Sequence, residues 1–197
     1  SSGTGAMDAA VCNTLSKKDK ALVINGGKFG ERWLKICKAY DVETEEIKVE
    51  WGKAVNPKEI EKVLKKHKDI KAILIQASET STGVKHPIEE IALLTKDRND
   101  IILIVDGITA VGAFPVEFDK WGIEVLIGGS QKAFMMPPGL AFITLSNKAW
   151  EFNKNSNLPK FYLDLSQAHK NSLKKTSPWT PAVTLIIGLN AVLNYFD

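Results

Sequence analysis

The chain is 197 residues long, 44% hydrophobic and 25% charged, which suffices for a single substantial core. Its 26 basic and 23 acidic residues leave a net charge of +3, and the lysines are scattered, with only "KVLKKHK" at 62–68 clustered; this disfavours nucleic acid as a partner. The opening has neither the charged region nor the apolar core of a secretory leader, and no run approaches the length of a membrane span, so a cytoplasmic protein without membrane partners is expected.

In chain order, "SSGTGAMDAAV" at 1–11 sets small hydroxyl and glycine residues before an apolar helix. The free N–H groups of that helix start, with Ser2 and Thr4, suit an anion such as phosphate; a plain N-cap explains the same residues. "ALVIN" (21–25), "IKAILIQ" (70–76), "IILIVD" (101–106) and "EVLIGG" (124–129) read as strands buried on both faces. Between them, Phe29, Trp33, Ile36 and Cys37 have helical spacing, as do Ile60, Val63 and Leu64 after "NPKE" and Ile88, Ile91, Ala92 and Thr95 after "HPIEE". Cys12 and Cys37, the only cysteines, fall in such apolar-periodic stretches and read as buried thiols of a reducing compartment; no zinc spacing occurs. The tail from Asn147 is polar until "AVTLIIGLNAVLNYF" (182–196), an apolar helix without obvious cover.

Strand and helix alternate, which predicts an α/β fold: a mainly parallel sheet with right-handed crossovers and helices on both faces. Such sheets bind ligands at the carboxyl ends of their strands. The clusters "NGGKFG", "SETSTG", "DGITAVG" and "GSQK" each follow a strand and meet at that edge. Asp106 ends a strand whose five preceding residues are all apolar, where a carboxylate needs a cation or several donors unless it only caps a turn. Lys132, in "GGSQKAFMMPPG", follows the next strand and is flanked by an oily run; a desolvated lysine there is a carbonyl-reactive nucleophile. A phosphate seat, a strand-end acid and such a lysine are together what pyridoxal 5′-phosphate requires.

The chain resembles the large domain of class V aminotransferases of the serine/alanine:glyoxylate (pyruvate) type. Six motifs carry the resemblance in order: "SSGTGAMDAAV", "NGGKFGERW", "ETSTGV", "VDGITAVG", "GGSQKAFMMPPG" and "SPWTPAV". It implies the pyridoxal-phosphate transferase large-domain fold (fold type I), with a sheet of the seven-stranded type spanning residues 1–197. It implies that Lys132 holds the cofactor as a Schiff base and then shuttles the substrate proton, and that Asp106 keeps the ring nitrogen protonated. Ile108 and Phe29 would pack against the ring, Thr80 would bond near its 3-hydroxyl or Asp106, and Ser2, Gly3, Thr4, Ser130 and Gln131 would hold the phosphate. Thr180, in "SPWTP", would reach the phosphate of a neighbouring subunit in a homodimer. The implied reaction is transamination between a small amino acid of serine or alanine type and a 2-oxo acid such as glyoxylate or pyruvate.

The family's N-terminal segment and C-terminal small domain are expected to be missing, and with them the arginine for the substrate carboxylate. Arg32 and Arg98, the only arginines, match no such role, and Glu124 replaces an aspartate common in the family. Desulfurases and lyases of the superfamily carry a histidine before the lysine, where this chain has Gln131. A noncatalytic fragment of the fold is the remaining alternative.

Overall fold

A computed structural model describes residues 1–196. The elements in chain order are α1 (Gly3–Thr14), β1 (Lys20–Asn25), α2 (Lys28–Ala39), β2 (Glu43–Lys48), α3 (Pro57–Lys66), β3 (Ile70–Gln76), the short β4 (Ser78–Glu79) and β5 (Val84–Lys85), and α4 (Ile88–Ala92). They continue with β6 (Ile102–Asp106), α5 (Phe118–Trp121), β7 (Val125–Gly129), β8 (Ala141–Leu145), α6 (Asn147–Asn155), α7 (Leu165–Ser172) and α8 (Val183–Leu193). The main sheet has the order β2-β1-β3-β6-β7-β8, while β4 and β5 form a separate antiparallel ribbon. Every neighbouring pair in the main sheet is parallel except β7 with β8.

The four expected strands form as β1, β3, β6 and β7, because successive side chains of an extended chain face opposite sides and both sides here are apolar. Ala21, Val23, Ala72, Leu74, Ile102 and Ile104 pack with α1 and α2 in one core. Leu22, Ile24, Ile73, Ile75, Leu103 and Val105 pack with α3 and α4 in the other. Each fully buried isoleucine or leucine stabilises by roughly 1.5–3 kcal/mol. The alternation matters for function, since Gln76 and Asp106 continue the first series and are paired in the β3–β6 register.

The main sheet has six strands among the described residues, where the resemblance implied a sheet of the seven-stranded type. Two of them, β2 and β8, carry no uniform apolar run: β2 is an edge strand reading "ETEEIK", and β8 is only half-buried. Helix α3 starts as expected, with the Asn56 side chain accepting from Lys58 N–H and Pro57 in the first turn. Helix α4 stops at Ala92 rather than reaching Thr95, because the backbone tightens into bonds from Leu94 N–H to Ile91 and from Thr95 N–H to Ala92.

Helix α1 lies against β7, β8, α2 and α6. Asn13 fixes α6 and the following segment to it: Asn153 donates to Asn13 O at 3.0 Å, and Asn13 Nδ2 donates to Leu163 O at 2.7 Å. At the opposite end of α1, the Ser1 nitrogen donates to Gly139 O at 2.9 Å, which ties the entry to the helix to the loop between β7 and β8. Helix α8 has no buried residue.

Candidate active site

A cavity of about 130 Å3 opens at the carboxyl edge of the sheet. The first turn of α1 supplies Ser2, Gly3 and Thr4, α2 supplies Phe29 and Arg32, and the strand ends and loops supply Ser78, Thr80, Asp106, Ile108, Thr109, Gln131 and Lys132. A larger cavity of about 380 Å3 lies elsewhere, between Pro87, Phe114 and Trp121. It lacks a strand-end acid and a long helix start, so the chemistry belongs to the smaller one.

Gly3 lies so close to Ile108 that a Cβ there would push the tip of the Ile108 side chain aside; the helix start therefore sits directly on the residue two beyond Asp106. Asp106 is buried, and its Oδ1 accepts from Ile108 N–H at 2.9 Å. Burial pushes its carboxyl up to about 6, against the Ile108 hydrogen bond and the charge of Arg32, with Glu79 adding to the rise and Lys132 opposing it. Thr80 donates to Thr109 Oγ1 at 3.2 Å, and Thr109 donates to Ser78 O at 3.3 Å, so two hydroxyls in series end on a backbone carbonyl.

Phe29 is placed by a residue that the sequence reading passed over. Glu79 is fully buried, and its carboxyl accepts from Phe29 N–H at 3.2 Å and Gly30 N–H at 3.0 Å, and from the Ser81 hydroxyl at 2.6 Å. It thus caps α2 from 50 residues away. Arg32 stands one turn beyond Phe29, with its guanidinium carbon 4.8 Å from the ring centroid, and Nη1 donates to Thr4 Oγ1 at 3.0 Å. Spacing of three residues on a helix put Arg32 and Phe29 on one face, a signal available in the sequence. No local signal marked Glu79 as the cap. Gln76, beside Asp106 in the ladder, is fully buried, and neither of its amide atoms has a hydrogen-bond partner.

Nine of the eleven expected site residues line the cavity, and two do not. Ser130 is fully buried behind it: its hydroxyl donates to Pro137 O at 2.8 Å and accepts from Leu140 N–H at 3.3 Å, which braces the lysine loop. Thr180 is exposed and outside the cavity, in the segment where Trp179 donates to Tyr162 O. Lys132 differs from expectation in its surroundings. It is exposed rather than desolvated, because it occupies a turn past the end of β7, closed by Met135 N–H donating to Lys132 O at 2.9 Å. Gln131 turns inward, and its Oε1 is buried without a partner.

The chain matches the family model described as aminotransferase class-V over residues 1–197. It is 46% identical over 194 residues to a soluble hydrogenase small subunit of Synechococcus sp., covering 98% of this chain and 50% of that protein. It is 36% identical to the L-aspartate--glyoxylate aminotransferase of Paracoccus denitrificans, covering 97% of this chain and 49% of that one. The crystal structure of an alanine--glyoxylate aminotransferase from Nostoc sp. superimposes with a TM-score of 0.93 at 27% identity, over 98% of this chain and 52% of its own. The chain thus spans about half the length of the curated relatives it matches. Family and neighbours imply pyridoxal phosphate as the cofactor. With a family match along its whole length and the parallel sheet of its solved neighbours, the chain belongs to the class-V aminotransferase family.

Proposed function

We propose that this chain is the pyridoxal-phosphate-binding large domain of an aminotransferase. It would exchange an amino group between a small amino acid of the serine or alanine type and a 2-oxo acid such as glyoxylate or pyruvate. The observation that carries this reading is the convergence of a twelve-residue helix start, a buried strand-end acid and a lysine on one small cavity. The name of the Paracoccus relative supports glyoxylate as an acceptor.

The residues present fit the cofactor. The N–H groups at the start of α1, with Ser2 and Thr4, suit its phosphate, and the close approach of Gly3 to Ile108 keeps that seat beside the apolar wall the ring would pack on. Gln131 lines the cavity, and its amide N–H groups would be the donors to that phosphate. Phe29 and Ile108 supply apolar walls, and Asp106 would meet the ring nitrogen. When bound, pyridoxal phosphate supplies an electron sink for the electrons released as the substrate α-carbon loses its proton. Asp106 holds a proton on the ring nitrogen, for which a carboxylate in a desolvated place is strongly suited. Lys132, at the mouth of the cavity, takes and returns the substrate proton and is reached from solvent.

The protein is a cytoplasmic homodimer in this reading. Free, buried Cys12 and Cys37 support a reducing compartment, and no helix among the described residues is long and apolar enough to cross a membrane. The exposed apolar side chains of α8 support association, with Thr180 as the residue that crosses to the neighbouring site. The test is borohydride reduction of the 197-residue chain with pyridoxal phosphate, followed by peptide mapping. A cofactor mass on Lys132, absent from a folded Lys132→Ala variant, is expected; a single label elsewhere defeats the assignment.

A further inference from the structure

Arg32 matched no role in the sequence, yet it touches two walls of the cavity. Its Nη1 donates to the Thr4 hydroxyl at 3.0 Å, and its guanidinium carbon stands 4.8 Å from the Phe29 ring centroid. The two contacts require different properties of the same planar cation: a directed N–H for the hydroxyl and a flat face for the ring. A hydroxyl that accepts a hydrogen bond keeps its own proton for donation. Thr14, in the last turn of the same helix, shows the contrasting use, spending its proton on Ala10 O at 2.7 Å. Thr4, with Arg32 as donor, is left with a proton to give to an anion in the cavity. Among the charged residues lining that cavity, Arg32 and Lys132 face only Asp106, so an anion entering it meets a net positive wall.

We propose that Arg32 is a positioning residue of this site, which sets the Thr4 hydroxyl as a donor to the cofactor phosphate and holds the Phe29 ring in place, so that one side chain registers the anion seat on α1 against the aromatic wall on α2. The inference rests on the cofactor reading above. It assigns a function to the arginine that leaves the substrate carboxylate to be met elsewhere.

The experiment compares binding of pyridoxal 5′-phosphate with binding of pyridoxal, which lacks the phosphate, to the 197-residue wild type and to the R32M, R32K and T4V variants. Thermal melting checks that each variant is folded. Loss of a charge-assisted hydrogen bond predicts that R32M weakens pyridoxal-phosphate binding by about 10- to 100-fold, with a much smaller change for pyridoxal. R32K keeps the charge without the planar fork and recovers only part of the loss. R32M and T4V together lose less than the product of their separate effects, since both remove one contact. An unchanged preference for the phosphorylated form in R32M, or strictly multiplicative effects of R32M and T4V, overturns the role of Arg32. A wild type that binds neither compound overturns the cofactor reading itself. If R32M does not fold, T4V and R32K decide: an unchanged preference for the phosphorylated form in both is again an overturning result.

Discussion

Asp106 shows how one buried group ties stability to ligand chemistry. Burial lifts its carboxyl from 3.8 to about 6. A folded-state value above the unfolded one means that the folded chain holds the proton more tightly. The associated stabilisation is complete below about pH 4 and is lost as pH rises through about 6. The difference is worth roughly 3 kcal/mol at neutral pH. Asp106→Asn stays neutral while its side-chain oxygen still accepts from Ile108 N–H, so without cofactor it should be the more stable protein at pH 7, by about 2–3 kcal/mol. Urea unfolding from pH 4 to pH 7 checks this: the gap between the two proteins should open as pH rises, and a gap independent of pH refutes it. Added pyridoxal phosphate should reverse the ranking, because a ring-nitrogen proton needs the carboxylate.

At the scale of the element, the start of α2 depends on a residue from another part of the chain. Glu79→Ala removes the acceptor for Phe29 N–H, Gly30 N–H and the Ser81 hydroxyl in a fully buried place. A loss of about 3 kcal/mol is expected, with Glu79→Gln losing less, since an amide oxygen still accepts. Chemical denaturation measures both, and a loss below 1 kcal/mol for the alanine variant would show that α2 caps itself. The same element shows where sequence reading reaches its limit. The helix itself was legible from Phe29, Trp33, Ile36 and Cys37, just as β3 was legible from an apolar run with both faces covered. Its cap was not, because Glu79 comes to Phe29 only through the sheet. Strand β2 was also hidden, since an edge strand satisfies its pairing with β1 while its side chains, Glu43 to Glu46 among them, stay polar. Within the cavity, Asp106 announced itself as an acid closing an apolar run. Ser130 neighbours Gln131 and Lys132 in sequence, yet its hydroxyl is held by Pro137 and Leu140, a pairing across the loop that no local pattern announces.

Across the whole molecule, α8 stands out as an apolar helix with no buried residue. Ile187 is 66% exposed and Val183 56%, while Gly188 and Leu185 reach the lysine loop at Met136 and Gly139. Ile187→Lys should therefore leave the fold and the lysine loop intact but shift a self-associated wild type toward monomer. Light scattering of the two proteins at equal concentration checks it, and a monomeric wild type refutes the association. The seat of α1 against β7 and β8 has a different consequence, one of timing. The Ser1 nitrogen and its acceptor Gly139 lie 138 residues apart, and α1 ends about 130 residues before β8 is complete. On a ribosome adding about 5–20 residues per second, Met7, Ala10 and Val11 emerge some ten seconds before the sheet that will cover them exists. Contacts so distant in sequence form late and slowly. The anion seat on α1 is therefore synthesised well before Asp106 and Lys132, and becomes a site only once they have followed it.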